Sequence, residues 1–446
     1  MSSVVSLARD WATALHIPNI LQGLTGGMRI TLVPIFARQL GSSDALLGVI
    51  IGSAGVSKVF LDIVFGFATS AYGCRMIMMA GMVVNLLGII VAVLAQSPFH
   101  LIFASLLWGA GIGAFFVSRH VFIAKAVPRN IRGRLMSMIG GEIRWCSFAG
   151  PALGGILVDY SNVRLAVLLM FPMALGCACV VSASEKIREV DAQKQDSEES
   201  TSISKDLNAM MTAFWRYWDV LIRVGVYSFN IISLRQGRGM LLTLAAMNMG
   251  LSASMVGTVL SLSYVVDATF FFLGGYIMDH FGRKYAAIPT TINLGIAFLL
   301  LSHSNNFTSL IFTAFYFGLA DSTGAGILMT LTADHSPPSG GAPFMGLMRT
   351  MQDSGQVFGP IICGLLVQHV SFSWACYVMA ILGLLNGVWA CIMIPEKSCS
   401  QEEEEQSRAA AAMEEAVSLT KIDMKAKKTD DAGDSEVVVM DISVKE

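Results

Sequence analysis

Apolar residues follow one another in runs of about twenty, from near the start of the chain to position 394, with short polar breaks between them. A helix rises 1.5 Å per residue, so each run is long enough to cross a ~30 Å hydrocarbon core. Twelve spans are predicted: 14–37, 45–69, 76–95, 101–124, 135–158, 164–183, 220–245, 254–278, 286–302, 308–332, 344–367 and 373–394. The sixth and seventh are separated by Ser184 to Asp206, whose charge and serine content predict a solvated linker with some helix. From Ser398 the chain is polar and mixed in charge, and disorder is expected there apart from a surface helix near Gln406 to Leu419. The chain therefore divides into a first six-helix bundle (1–183), a cytoplasmic linker (184–213), a second six-helix bundle (214–395) and a tail (396–446).

The two bundles repeat one another. Gly275-Tyr-Ile-Met-Asp279-His-Phe-Gly282-Arg283-Lys284, after the eighth span, has a weaker copy after the second, Gly66-Phe-Ala-Thr-Ser70-Ala-Tyr-Gly73-Cys74-Arg75. The offset is 209 positions (279 − 70), and without a gap it also aligns Gly41 with Gly250, Gly48 with Gly257 and Gly109 with Gly318. It further aligns Pro128 with Pro337, Gly150-Pro151 with Gly359-Pro360, Gly155 with Gly364 and Arg29 with Arg238. Duplicated bundles with a binding site at their interface are a recurring transporter architecture.

Composition supports the membrane reading. Hydrophobic residues make up 54% of the chain and charged ones 14%, against roughly 25% charged in a soluble domain, so the polar surface needed to face water all round is missing. A net charge of −2 gives no electrostatic case for a nucleic-acid partner. The eight cysteines lie mostly in apolar runs without zinc-site spacing and read as small apolar fillers. No metal and no cofactor is expected; the partners are membrane lipid, a small-molecule substrate and a proton, and the chain is expected to be a monomer. Lys125, Arg129, Arg132 and Arg134 follow the fourth span and Arg283 and Lys284 the eighth, while the opposite loops hold little beyond Arg38 and Arg164. The positive-inside rule then places both termini and the linker in the cytoplasm.

These residues resemble the major facilitator superfamily over nearly the whole chain, from about Ile17 to Pro395. The family's signature after the second helix of each half, GxLaDRxGRK, is matched by Gly275, Asp279, Gly282, Arg283 and Lys284; in the first half Ser70 replaces the acid and Cys74 a base. Pro128-Arg-Asn-Ile-Arg132-Gly133-Arg134 resembles the turn after helix four, and Gly150-Pro151-Ala-Leu-Gly154-Gly155 the end of the helix-five motif of antiporters. Ser105 stands where proton-coupled drug antiporters carry a helix-four arginine, a departure from that subgroup. The resemblance implies an all-α fold of twelve transmembrane helices in two pseudo-symmetric bundles, moving by alternating access, with the Asp279 loop as a cytoplasmic gate. The plainer reading of the glycines is close helix packing, and of the Asp279 loop a topology anchor.

Charges inside the spans carry the functional argument, since burying one costs about 2.5–3.5 kcal/mol on insertion scales. The third, ninth and twelfth spans have none, and the sixth only Arg164 at its first position. The others hold, within their interiors, Arg29 (first), Lys58 and Asp62 (second), Arg119 (fourth), Glu142 and Arg144 (fifth), Arg235 and Arg238 (seventh, with Arg223 near its start), Asp267 (eighth), Asp321 (tenth), and Arg349 and Asp353 (eleventh). Lys58, Arg144, Asp267, Asp321 and Asp353 fall near midplane, and the offset equates Lys58 with Asp267 and Arg144 with Asp353, so equivalent positions carry opposite charge. Two pairs are expected across the bundles, Lys58 with Asp353 and Arg144 with Asp267. Local i,i+4 pairing of Lys58 with Asp62 and Arg349 with Asp353 is the alternative. The function predicted is secondary transport of a small organic solute, as a drug- or organic-anion-like antiporter or symporter. Arg29 and Arg238 suit a solute with a negative group; Asp267, Asp321 and Asp353 suit a cationic drug or a coupling proton, and Lys58, Asp62 and Arg144 complete the set of substrate or coupling candidates. A receptor or scaffold on a transporter fold leaves the midplane charges without a purpose. No P-loop, GxSxG, HExxH or dinucleotide fingerprint supports an enzyme.

Overall fold

The computed structural model describes residues 11–195, 214–336 and 341–394, with Arg9, Met211 and Thr212. Among these residues there is no strand, and twelve long helices are present. They are α1 (Ala12–Gln39), α2 (Asp44–Tyr72), α3 (Cys74–Val93), α4 (Pro98–Ala126), α5 (Arg129–Tyr160) and α6 (Val163–Ala183). The second six are α7 (218–248), α8 (253–280), α9 (Arg283–Ser302), α10 (Phe307–Asp334), α11 (Gly341–His369) and α12 (Phe372–Met393). A linker helix, Glu185–Gln195, follows α6. The surface helix expected near 406–419 lies outside the described residues.

Among the described residues, nine helices are long and apolar enough to cross a membrane by composition alone. The remaining three, α5, α7 and α11, carry Glu142 and Arg144, Arg235 and Arg238, and Arg349 and Asp353. Their polarity fits helices that turn one face to a protein interior rather than to lipid.

The repeat is visible contact by contact. Ser43 caps α2 through the Leu46 N–H and Ser252 caps α8 through that of Met255; Asn162 and Ser371 do the same for α6 and α12. Gly73 and Gly282 both take positive φ, 92° and 103°, at the turns into α3 and α9. Gly48 lies so close to α11 that an added Cβ would stand 2.4 Å from the Pro360 carbonyl oxygen; at Gly257 it would stand 2.3 Å from that of Pro151. Each of these pairs is related by the offset of 209.

These last contacts join the first six helices to the last six, through α2 against α11 and α5 against α8. At the loop ends, the Asp159 carboxylate accepts from the Ala253 and Ser254 N–H groups (3.1 and 2.9 Å), and the Gln368 side chain accepts from the Asp44 N–H (3.2 Å). Modest burial disfavours the Asp159 charge, but the hydrogen bonds from Ser254, Ala253 and Ser252 outweigh it and hold the carboxyl below the usual carboxylate range. On the opposite side, toward the linker, Gly66, Gly133, Gly275 and Gly346 have nothing within 4 Å of an added Cβ. The halves are in close contact at the loop ends of α2, α5, α8 and α11.

An added Cβ at Gly155 would meet the Ala253 carbonyl oxygen at 2.2 Å, and one at Gly364 the Asp44 oxygen at 2.5 Å. Gly155→Val and Gly364→Val are therefore expected to wedge the closed side, costing it about 1–3 kcal/mol. Spin-label distances across the Asp159–Ser254 contact should lengthen in both variants; unchanged distances would show that the backbone contact is not what limits closure.

Candidate functional site

A chamber of about 550 Å³ lies between the halves, with α1, α2, α4 and α5 on one wall and α7, α8, α10 and α11 on the other. Arg29, Lys58, Arg144, Arg238, Asp267 and Asp321 all line it, as does Arg235. Asp353 and Asp62 do not line it but stand beside it on α11 and α2.

Three clusters organise these charges. On the second-half wall, Asp321 accepts from Arg235 Nε at 2.7 Å and pairs with Arg238 Nη1 at 3.1 Å, and the Arg238 guanidinium sits 4.7 Å over the Tyr264 ring. Across the halves, Arg144 of α5 and Asp267 of α8 form an ion pair at 3.6 Å, the guanidinium also lying over Phe271. The third cluster corrects an expectation. Lys58 does not pair directly with Asp353: its Nζ donates to Gln356 Oε1 (2.9 Å), and Gln356 Nε2 donates to Asp353 Oδ1 (2.5 Å). Arg349 donates to the other oxygen of Asp353 at 3.1 Å, so the local i,i+4 pair forms as well. Gln356 intercepts because it is one turn from Asp353 and packed where Gly55 brings α2 against α11. The cross-half link is kept, through an amide.

Asp62 differs from the other acids. Its Oδ1 is buried without a hydrogen-bond partner, close over Gly113, and its side chain lies within hydrogen-bonding reach of Asp353. Arg29 differs from the other arginines. Only 8% exposed, it donates Nε to the Thr25 carbonyl (3.2 Å) and faces the Trp108 ring at 5.3 Å, while Nη1 and Nη2 have no partner.

The glycine motif of α5 splits its contacts. Gly150 and Gly154 pack on α1, against Gly27 and Met28, whereas Gly155 meets α8 of the other half. Ser105, at the place of the missing arginine, is buried and lines the chamber.

A further polar group lies in the first half, away from the chamber lining. His16 is hydrogen-bonded to Glu142, Asn19 Nδ2 donates to Glu142 Oε2 at 2.7 Å, and Arg119 donates to Asn19 Oδ1. The equivalent positions of the second half are Gly225, Ser228, Leu328 and Met351, with Gly225 against the Met351 side chain. Sequence reasoning missed His16, Asn19, Gln356, Trp108 and Tyr264 because none carries a fixed charge that stands out in an apolar run. The available signal was that Glu142 and Arg119 have apolar counterparts at the offset.

At the linker-side turns the two halves use different chemistry. Arg283 pairs with Asp334 at 2.9 Å and donates to the Met278 carbonyl; the first-half counterparts are Cys74 and Lys125. There the carboxylate comes from the linker helix, where Asp191 accepts from the Cys74 and Arg75 N–H groups at 2.7 and 2.8 Å. Asp279→Asn is expected to reduce transport several-fold at normal surface expression, and Ser70→Ala to leave it near wild type. Equal loss in both variants, measured by vesicle uptake, would remove the asymmetry between the two turns.

A twelve-helix membrane fold with a charged chamber between two repeated halves defines a membrane transporter. The sequence profile of the Major Facilitator Superfamily matches residues 17–246 and 229–427, and the chain belongs to that superfamily. It is 27% identical over 394 residues to the MFS-type transporter SLC18B1 of Rattus norvegicus, covering 80% of each chain. It is 21% identical over 381 residues to the uncharacterized MFS-type transporter MJ1560 of Methanocaldococcus jannaschii, covering 81% of this chain and 92% of the relative. Among solved structures it resembles a D-xylose-proton symporter, with a TM-score of 0.69 at 14% identity, over 86% of this chain and 98% of that one.

Proposed function

We propose that this chain is a proton-coupled secondary transporter of a small organic solute, working by alternating access of bundles 1–183 and 214–395. Its termini lie in the cytoplasm, so the chamber faces inward in the state described. The observation that carries this reading is the Arg144–Asp267 pair, which crosses the halves at the chamber wall. Toward the loops the halves are in backbone contact, and on this reading they part toward the linker. An ion pair at that boundary is made in one arrangement and broken in another.

The coupling proton is assigned to Asp62. Asp321 is held by two arginines, Asp267 by Arg144 and Asp353 by Arg349 and Gln356. A carboxyl with an unpartnered oxygen beside another carboxyl is where a proton is most readily gained and given up. Cysteines at Gly66 and Gly346, on the linker-side ends of α2 and α11, with Cys179 and Cys391 changed to Ser, allow the motion to be measured. Spin labels there should report a long and a short distance whose populations change with pH. One fixed distance under all conditions would leave a receptor or scaffold as the better reading.

A further inference from the structure

We infer that the chamber selects small organic carboxylates, with the Arg29 guanidinium holding the carboxylate group. The inference rests on the transport reading above and specifies its solute.

The repeat supplies the argument. Arg29 and Arg238 occupy equivalent positions, both buried, both lining the chamber, and both over an aromatic ring. Arg238 is paired with Asp321 of α10, whose carboxylate it shares with Arg235. The equivalent of Asp321 in the first half is Ile112 of α4, which also lines the chamber. The first half thus keeps the cation and lacks the acid. Each of the other cations of the chamber has an acceptor: Arg144 pairs with Asp267, Arg235 shares Asp321 with Arg238, and Lys58 donates to Gln356, which donates to Asp353.

A buried guanidinium whose two terminal nitrogens have no acceptor is costly to hold, and its planar fork matches the two oxygens of a carboxylate. The surroundings specify the rest of the ligand. Ile30, Val33, Ile51 and Ile112 line the same side of the chamber, beside the Trp108 ring, so the body of the solute is apolar. A chamber of about 550 Å³ admits a molecule of one or two rings.

Three probes of one shape and different charge test this on the purified full chain: benzoate, benzamide and benzylamine. Calorimetric titration should show benzoate binding more tightly than the other two. Arg29→Gln should weaken it by about tenfold to a hundredfold, the worth of hydrogen bonds to a charged group. Ile112→Asp, which installs in the first half the acid that the second half has, should weaken it as much while Arg29 is still present. Ile112→Asn, of the same size as Ile112→Asp without the charge, should weaken benzoate clearly less than Ile112→Asp does, the difference being the effect of the added charge; equal loss in the two variants overturns the assignment. Preference for benzylamine, no binding of any probe, or equal affinity in the wild type and Ile112→Asp overturns the carboxylate assignment. The α2–α11 spin-label distances contain no solute, so a moving protein that ignores benzoate refutes the assignment and leaves alternating access standing.

Discussion

Arg144→Ala and Asp267→Asn are each expected to abolish coupled transport, and the exchange Arg144→Asp with Asp267→Arg to restore part of it. Removing one member of a buried pair leaves the other charge without compensation, at about 3–5 kcal/mol. The side chains are 26% and 12% exposed to the chamber, so water takes up part of the cost and the lower end of that range applies. Even about 3 kcal/mol changes the ratio of two conformations by more than a hundredfold, enough to hold the protein in one state. Uptake into vesicles, with the α2–α11 distance measured on the same variants, separates a trapped protein from an unfolded one. Additive single and double variants, or no rescue by the exchange, would show that the pair does not couple the halves.

Asp62→Asn is expected to remove accumulation while leaving exchange of labelled for unlabelled solute. One pH unit supplies 1.36 kcal/mol per proton, about tenfold accumulation when one proton travels with each solute or against it. An amide in this place cannot release or take up the proton, so the gradient loses its hold on the solute. Gradient-driven uptake should fall to the equilibrium level and exchange should persist. If Asp62→Asn still accumulates solute tenfold across one pH unit, the coupling proton belongs elsewhere. The partly buried His16–Glu142 pair, absent from the second half, is then the next group to replace.

The chamber was partly legible before the fold was seen. The costly charges Arg29, Lys58, Arg144, Arg238, Asp267 and Asp321 could be picked out because an apolar span makes each conspicuous, and all six line one space. Neutral residues leave no such mark. Gln356 replaced the direct Lys58–Asp353 contact because an amide on a crowded helix face lay in the way. The cluster of His16 and Asn19 with Glu142 needed α1 laid against α5, which the close approach of Gly27 to Gly150 allows.

What the sequence determined by itself is the membrane fold, the number of helices and their internal repeat, because hydrophobic length and a fixed offset are properties of the linear chain. It also determined which helices avoid lipid on one face, since charge inside a span is too costly to be incidental. What only the tertiary structure decided is which charges cancel. Arg29 and Arg238 are the same residue at equivalent positions, and the difference between them lies 83 positions along the chain (112 − 29 and 321 − 238), in what α4 and α10 bring to them: Ile112 in one half and Asp321 in the other. Neutralisation is a matter of a few ångströms between side chains on different helices, and those distances exist only once the helices are packed.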